Sequence, residues 1–214
     1  MLLVAWWFIQ NYLFVEHFYP ASACALRATR HVRHPASGFW RGCMPLALSP
    51  KIGPILLKDR FDRQITDLRV SVTDRCNFKC FYCRTPHGVH FAKRESLLTY
   101  EEIERLAGIF LELGVTKIRL TGGEPLLRRN LELLAGKLST LEGLQDLALT
   151  TNGFDFFKRA HKFKEAGLRR VTISLDSLKQ DRFREITGYA GYDDVLRSIT
   201  IAKELKLEQL LLKY

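Results

Sequence analysis

Asp67-Leu68-Arg69-Val70-Ser71-Val72-Thr73-Asp74-Arg75-Cys76-Asn77-Phe78-Lys79-Cys80-Phe81-Tyr82-Cys83 is the stretch on which the fold turns. Its first half alternates apolar and polar side chains, the period of a strand with one packed face. Its second half carries three cysteines spaced CxxxCxxC. A strand running straight into a loop rich in ligating side chains has the layout of the carboxyl edge of a parallel sheet, where such sheets build their sites.

Downstream the chain supplies parallel partners. Thr99 with Glu102 three residues on is a capping box, with Leu98 and Ile103 at the staple positions. Ile103, Leu106, Ala107, Phe110 and Leu113 recur at helical spacing until Gly114 stops the helix. The same reading predicts a strand over 117–121, a helix over 130–141, a strand over 144–151 and a helix over 154–166 stopped by Gly167. A fourth strand over 171–175 and an amphipathic helix over 192–205 complete the pattern. Strands alternating with helices imply βαβ units with right-handed crossovers. The polar motifs then fall together. The cysteine loop follows the first strand, Gly122-Gly123-Glu124-Pro125 the second, Thr150-Thr151-Asn152-Gly153 closes the third and Ser174-Leu175-Asp176 the fourth. All four lie on one rim.

Composition narrows the class. The 214 residues are 47% apolar and 26% charged, too apolar for wholesale disorder, and five cysteines do not make a disulfide scaffold. The net charge of +10 splits as +5 in residues 1–58 and +5 in residues 59–214. The second part is only mildly basic for its length, which fits anionic small-molecule sites and no nucleic-acid groove. Residues 1–58 read as a separate leader. Met1 to Val15 is uncharged and apolar but shorter than a bilayer span. From His17 to Lys58 there is no acid, while Arg27, Arg30, Arg33, Arg41, Lys51 and Lys58 recur among Ser, Ala and Pro. That pattern reads as transit-like or disordered, placing the protein in the mitochondrial matrix if it is a transit region and in the cytoplasm otherwise. Cys24 and Cys43 lack metal-ligand spacing and read as incidental.

Cys76, Cys80 and Cys83 can converge on one metal centre. A disulfide would leave one thiol over. A structural zinc would need a fourth ligand, for which His87 or His90 is available. A 4Fe–4S cluster held by three cysteines leaves one iron open to a chelating amino and carboxylate group, the amino-acid end of S-adenosyl-L-methionine. Tyr82 could pack on the adenine, and Gly122 and Gly123 leave room for the charged end.

With these residues the chain resembles the radical S-adenosylmethionine superfamily. Asp67–Phe78, Arg119–Leu126, Leu149–Gly153, Ser174–Leu178 and Phe183–Gly188 together look like the GTP 3′,8-cyclases of molybdenum cofactor biosynthesis, over about residues 56–207. The resemblance implies an α/β fold: a partial TIM-type (βα) barrel with parallel strands and about four βα units present, formed by residues 59–214. It implies that Cys76, Cys80 and Cys83 ligate the cluster, that Tyr82, Gly123 and Ser174 contact S-adenosyl-L-methionine, and that Arg69, Arg119 and Thr150 contact GTP. No catalytic residue beyond the cluster ligands is implied. The reaction it implies starts from a 5′-deoxyadenosyl radical that takes a ribose hydrogen from GTP, followed by ring closure onto the base. An electron donor is needed, a C-type pyranopterin synthase takes the product, and a homodimer stays open.

The pattern also departs from the family. After Leu205 the sequence no longer follows it, and the family's second three-cysteine cluster has no counterpart because no cysteine follows Cys83. The expectation is therefore a C-terminally truncated form, weakly active or inactive alone, with an apolar edge exposed at its fourth strand. Two other readings stay open: a radical enzyme acting on another substrate, and a non-catalytic metal-binding regulatory module.

Overall fold

A computed structural model describes residues 56–83 and 91–212. The leader up to residue 55, and His87 and His90, lie outside the described residues. Five strands, β1 (Asp67–Ser71), β2 (Lys117–Thr121), β3 (Asp146–Thr151), β4 (Arg170–Leu175) and β5 (Glu208–Leu212), form one sheet. Five α-helices alternate with them: α1 (Tyr100–Glu112), α2 (Leu131–Ser139), α3 (Phe156–Glu165), α4 (Gln180–Thr187) and α5 (Tyr192–Glu204). Strand order is β1-β2-β3-β4-β5 and every pairing is parallel.

Sequential order combined with crossovers of a single hand puts the helices on one face of the sheet. That face is apolar. Ile118, Leu120, Leu147, Leu149, Val171, Ile173 and Leu175 are buried and share one core with Leu134, Leu138, Phe163, Val195 and Ala202 from the helices. The alternate residues, Arg69, Arg119, Thr150, Thr172 and Ser174, belong to the opposite face. A doubly wound sheet would need apolar residues on both faces. One apolar and one polar face make this an open (βα) barrel, as the sequence predicts.

Local chemistry sets the elements. Thr99 Oγ1 accepts the Glu102 N–H at 3.2 Å while Glu102 Oε2 accepts the Thr99 N–H at 2.7 Å, the expected capping box of α1. The helix stops where Gly114 takes φ +95°. β3 starts at Asp146, two residues later than predicted, because the Leu144 N–H closes a turn onto the Leu141 carbonyl. Leu57 joins the folded body by donating to the Leu113 carbonyl, and Lys58 by an antiparallel bridge to Gln64.

Two elements depart from the expectation. α4 was not predicted: it buries only Phe183 and Thr187, too few positions for a periodic signal. The fourth strand is not an exposed edge. β5 pairs with it from Val171↔Glu208 to Leu175↔Leu212. Any extended segment can satisfy the N–H and C=O groups of a sheet edge, so this pairing needs no family-like side chains.

Candidate functional site

The site is built where the rim loops cross. After β1 the chain turns through Thr73 and Arg75 into the cysteine loop, and the loop after β2 lies directly against it. The Gly123 N–H donates to the Thr73 carbonyl and the Glu124 N–H to the Arg75 carbonyl, both at 2.7 Å. A Cβ on Gly122 would sit 2.4 Å from the Thr73 oxygen, and one on Gly123 2.3 Å from the Arg75 oxygen. Backbone cannot yield, so both positions must be glycine. The two glycines thus have a packing reason beyond the room for a ligand read from the sequence, and the Gly123 amide is already engaged.

Glu124 is 2% exposed. Its Oε1 accepts from the Thr151 hydroxyl at 2.6 Å and the Leu126 N–H at 3.1 Å, and its Oε2 accepts from the Asn152 N–H at 2.7 Å. Burial pushes its carboxyl up to about 7 against these three hydrogen bonds. Glu124 is a buried brace between the ends of β2 and β3. Asn152 extends the brace: its Oδ1 accepts the Phe154 N–H, and its amide donates to Asn77 Oδ1 at 2.8 Å, with Cys76 Sγ 4.0 Å away.

The cysteine loop is held from its other side by α4. Lys79 and Phe81 donate their N–H groups to the carbonyls of Thr187 and Ile186, at 2.8 and 3.2 Å. Phe78 is buried, stacked on Tyr189 and edge-on to Phe183. The Phe183–Gly188 motif therefore anchors the loop, a role the sequence did not reveal. Tyr82 reaches farther: its hydroxyl donates to Oδ1 of the buried Asp176 at 2.6 Å. Burial, then the Asp176 carboxylate, raises the phenol well above its ordinary range.

The three predicted ligands share this loop. Cys76 and Cys80 are half-buried and Cys83 is exposed, with the Cys83 N–H closing a turn on the Cys80 carbonyl at 3.0 Å. Burial raises the Cys80 thiol from its ordinary value. Among the described residues no three His, Cys, Asp or Glu side chains are already gathered on one metal position. The donor set, three soft sulfurs in one loop, suits an iron–sulfur cluster. Among the described residues, Oδ1 of Asp74, two residues before Cys76, is buried without a hydrogen-bond partner. In chemistry the residues fit such a group.

The arginines lie on the polar face, Arg119 half-buried and Arg69 exposed. Arg69 and Arg119 are register partners on β1 and β2. Arg119 Nη1 donates to Thr150 Oγ1 at 3.1 Å and Thr172 Oγ1 at 2.8 Å, so two predicted contacts, Arg119 and Thr150, already touch. Burial, then the charges of Arg170 and Arg69, lowers the Arg119 guanidinium from its usual value. Arg170 is held by Asp146 and Lys117 lies 3.9 Å from Asp67, which engages the carboxylates on that face. Ser174 is half-buried, on β4 two residues before Asp176. A cavity of about 550 Å³ opens instead at the amino ends of β3 and β4, lined by Ser139, Leu147, Lys164 and Arg169, away from this rim.

Comparison with known proteins adds ancestry. A family model described as the radical SAM superfamily matches residues 70–212. A GTP 3′,8-cyclase of Desulforamulus reducens is 48% identical over 149 residues, 70% of this chain and 46% of that protein. The mitochondrial GTP 3′,8-cyclase of Arabidopsis thaliana is 47% identical over 150 residues, 70% of this chain and 38% of that one. This chain spans less than half the length of these relatives. Among solved structures, anSMEcpe with bound AdoMet aligns with TM-score 0.55 at 22% identity, covering 69% of this chain and 43% of that one. Streptococcus suis SuiB aligns with TM-score 0.55 at 19% identity, covering 68% and 32%. These two likenesses speak for the fold.

Proposed function

This chain belongs to the radical SAM superfamily, and from that premise we propose that it carries the radical-generating half of a GTP 3′,8-cyclase of molybdenum cofactor biosynthesis. Membership brings S-adenosyl-L-methionine and an iron–sulfur cluster. In this reading Cys76, Cys80 and Cys83 hold one 4Fe–4S cluster. Tyr82, Gly123 and Ser174 hold S-adenosyl-L-methionine, and Arg69, Arg119 and Thr150 receive GTP. When bound, the cluster and its cofactor supply the radical chemistry.

The protein's own residues orient and enclose. The Gly122–Gly123 crossing and the Glu124 brace fix the cysteine loop to two strands. Arg119 holds its guanidinium against two threonine hydroxyls.

The observation that carries the substrate reading is the Arg69–Arg119 pair. Like charges at the same register on neighbouring strands repel, and an anion between them removes the penalty. The carboxylates felt by Arg119, Asp146 and Asp67, are engaged by Arg170 and Lys117. A triphosphate has the charge and the acceptor oxygens to bind both guanidinium groups. An external electron donor, a C-type synthase for the product and a mitochondrial location, as in the name of the Arabidopsis relative, complete the proposal.

Deuterated GTP tests it. Reconstituted protein given reductant, S-adenosyl-L-methionine and GTP deuterated at ribose C3′ should yield 5′-deoxyadenosine carrying the label. Cofactor cleavage with no label transferred, whatever the GTP concentration, would assign the radical to another substrate.

A further inference from the structure

The contact between Tyr82 and Asp176 joins residues 94 positions apart. At 2.6 Å it is a short, charge-assisted bond. Tyr82 itself is 51% exposed, and its ring neighbour Phe81 is 72% exposed. Against that exposure the hydroxyl is a fixed point of this side chain. Asp176 is 7% exposed and follows directly on β4, whose backbone is paired on both sides. The anchor is buried beside the sheet and the anchored residue is half exposed.

The loop side is equally specific. Tyr82 lies inside the turn closed by the Cys83 N–H on the Cys80 carbonyl. One phenol thus ties this turn to Asp176, at the end of the strand that carries Ser174.

We propose that Asp176 is a positioning residue: by accepting the Tyr82 hydroxyl it docks the Cys80–Cys83 turn on the end of β4 and so sets the separation between the cysteine ligands and Ser174. The inference rests on the reading of those cysteines as cluster ligands. It differs from a role for the aromatic ring, because the hydroxyl is what the geometry fixes. Ring contact with a ligand needs only phenylalanine at this position; docking needs the phenol and a carboxylate together.

The two partners act as one unit, so their loss must not add. The test uses Tyr82→Phe, Asp176→Asn and the double variant of the full chain. In the metal-free, reduced protein, alkylation of Cys80 by iodoacetamide is followed by peptide mass. Each single variant should raise the Cys80 rate about tenfold, and the double variant should match the faster single. In the reconstituted protein, iron and sulfide content should stay at the wild-type level. The S-adenosyl-L-methionine concentration that half-converts the electron paramagnetic resonance signal of the reduced cluster should rise about tenfold. Wild-type Cys80 rates in both single variants, or rates that multiply in the double, overturn the proposal. Wild-type protein that takes up no iron refutes the cluster reading instead, while the alkylation rates still decide the latch.

Discussion

Replacing Glu124 with Gln should change how stability depends on pH, in a direction the structure fixes. The carboxyl is 2% exposed, and burial pushes it up to about 7 from an ordinary 4.5. The folded chain therefore holds this proton more tightly than the unfolded chain does. Stability from this group is full below the ordinary carboxylate range. It falls as pH rises through that range and levels off above about 7. The loss over that window is about 3 kcal/mol, at 1.36 kcal/mol for each tenfold change in proton affinity. Glutamine cannot titrate, so the variant lacks this loss. It carries instead a pH-independent penalty. Its amide must face either the Asn152 N–H or the pair formed by Thr151 and Leu126, and a donor facing a donor costs about 1–3 kcal/mol. Glu124→Gln should thus be clearly destabilised at pH 5 and close to wild type, or above it, at pH 8. Urea unfolding of the metal-free, reduced chain at half-unit pH steps measures the difference. A wild-type-minus-variant curve that is flat from pH 5 to 8 would refute the buried-brace account of Glu124.

Three further outcomes follow from distances already given. Gly123→Ala puts a methyl 2.3 Å from the Arg75 carbonyl oxygen, so it should displace the cysteine loop and cut reconstituted iron to a small fraction of wild type, measured by iron and sulfide assay. Gly108→Ala, in the interior of α1 with nothing within 4 Å of the new methyl, should raise stability by about 0.5–1 kcal/mol, seen as a higher thermal midpoint. Arg119→Ala should weaken GTP binding by about tenfold to a hundredfold in anaerobic titration calorimetry and leave guanosine unaffected, because one charge-assisted phosphate contact is worth about 1.5–3 kcal/mol.

The rim was legible before any coordinates because it rests on period and punctuation. Alternation marked the first four strands, Thr99 with Glu102 marked the start of α1, and glycines marked the helix ends. Position along a parallel sheet then put four motifs on one edge. What was not legible is tertiary. Nothing local in Gly122-Gly123 says that a neighbouring loop crosses 2.3–2.4 Å from their missing side chains. Glu124 carries no sign that its partners are Thr151 and Asn152, and Asp176 none that it meets Tyr82. The helix Gln180–Thr187 hides because so little of it is buried, and β5 because backbone pairing to an edge leaves no side-chain period.

Those tertiary contacts explain why the motifs sit where they do. The glycines join the first two loops, Glu124 and Asn152 join the second to the third, and Tyr82 with Asp176 joins the cysteine loop to the fourth strand. Each sequence motif on the rim is a joint of one frame around the three thiols.

The proposed function stands on Cys76, Cys80 and Cys83 holding an iron–sulfur cluster with one iron left for S-adenosyl-L-methionine. Oxygen-free reconstitution of the full chain, with metal, acid-labile sulfide and 5′-deoxyadenosine measured on the same sample, addresses it directly. About four irons and four sulfides per chain, with reductant-dependent 5′-deoxyadenosine that vanishes when any of the three cysteines becomes alanine, is the predicted result. Tightly bound zinc without sulfide, or a cluster that never cleaves the cofactor, would contradict it.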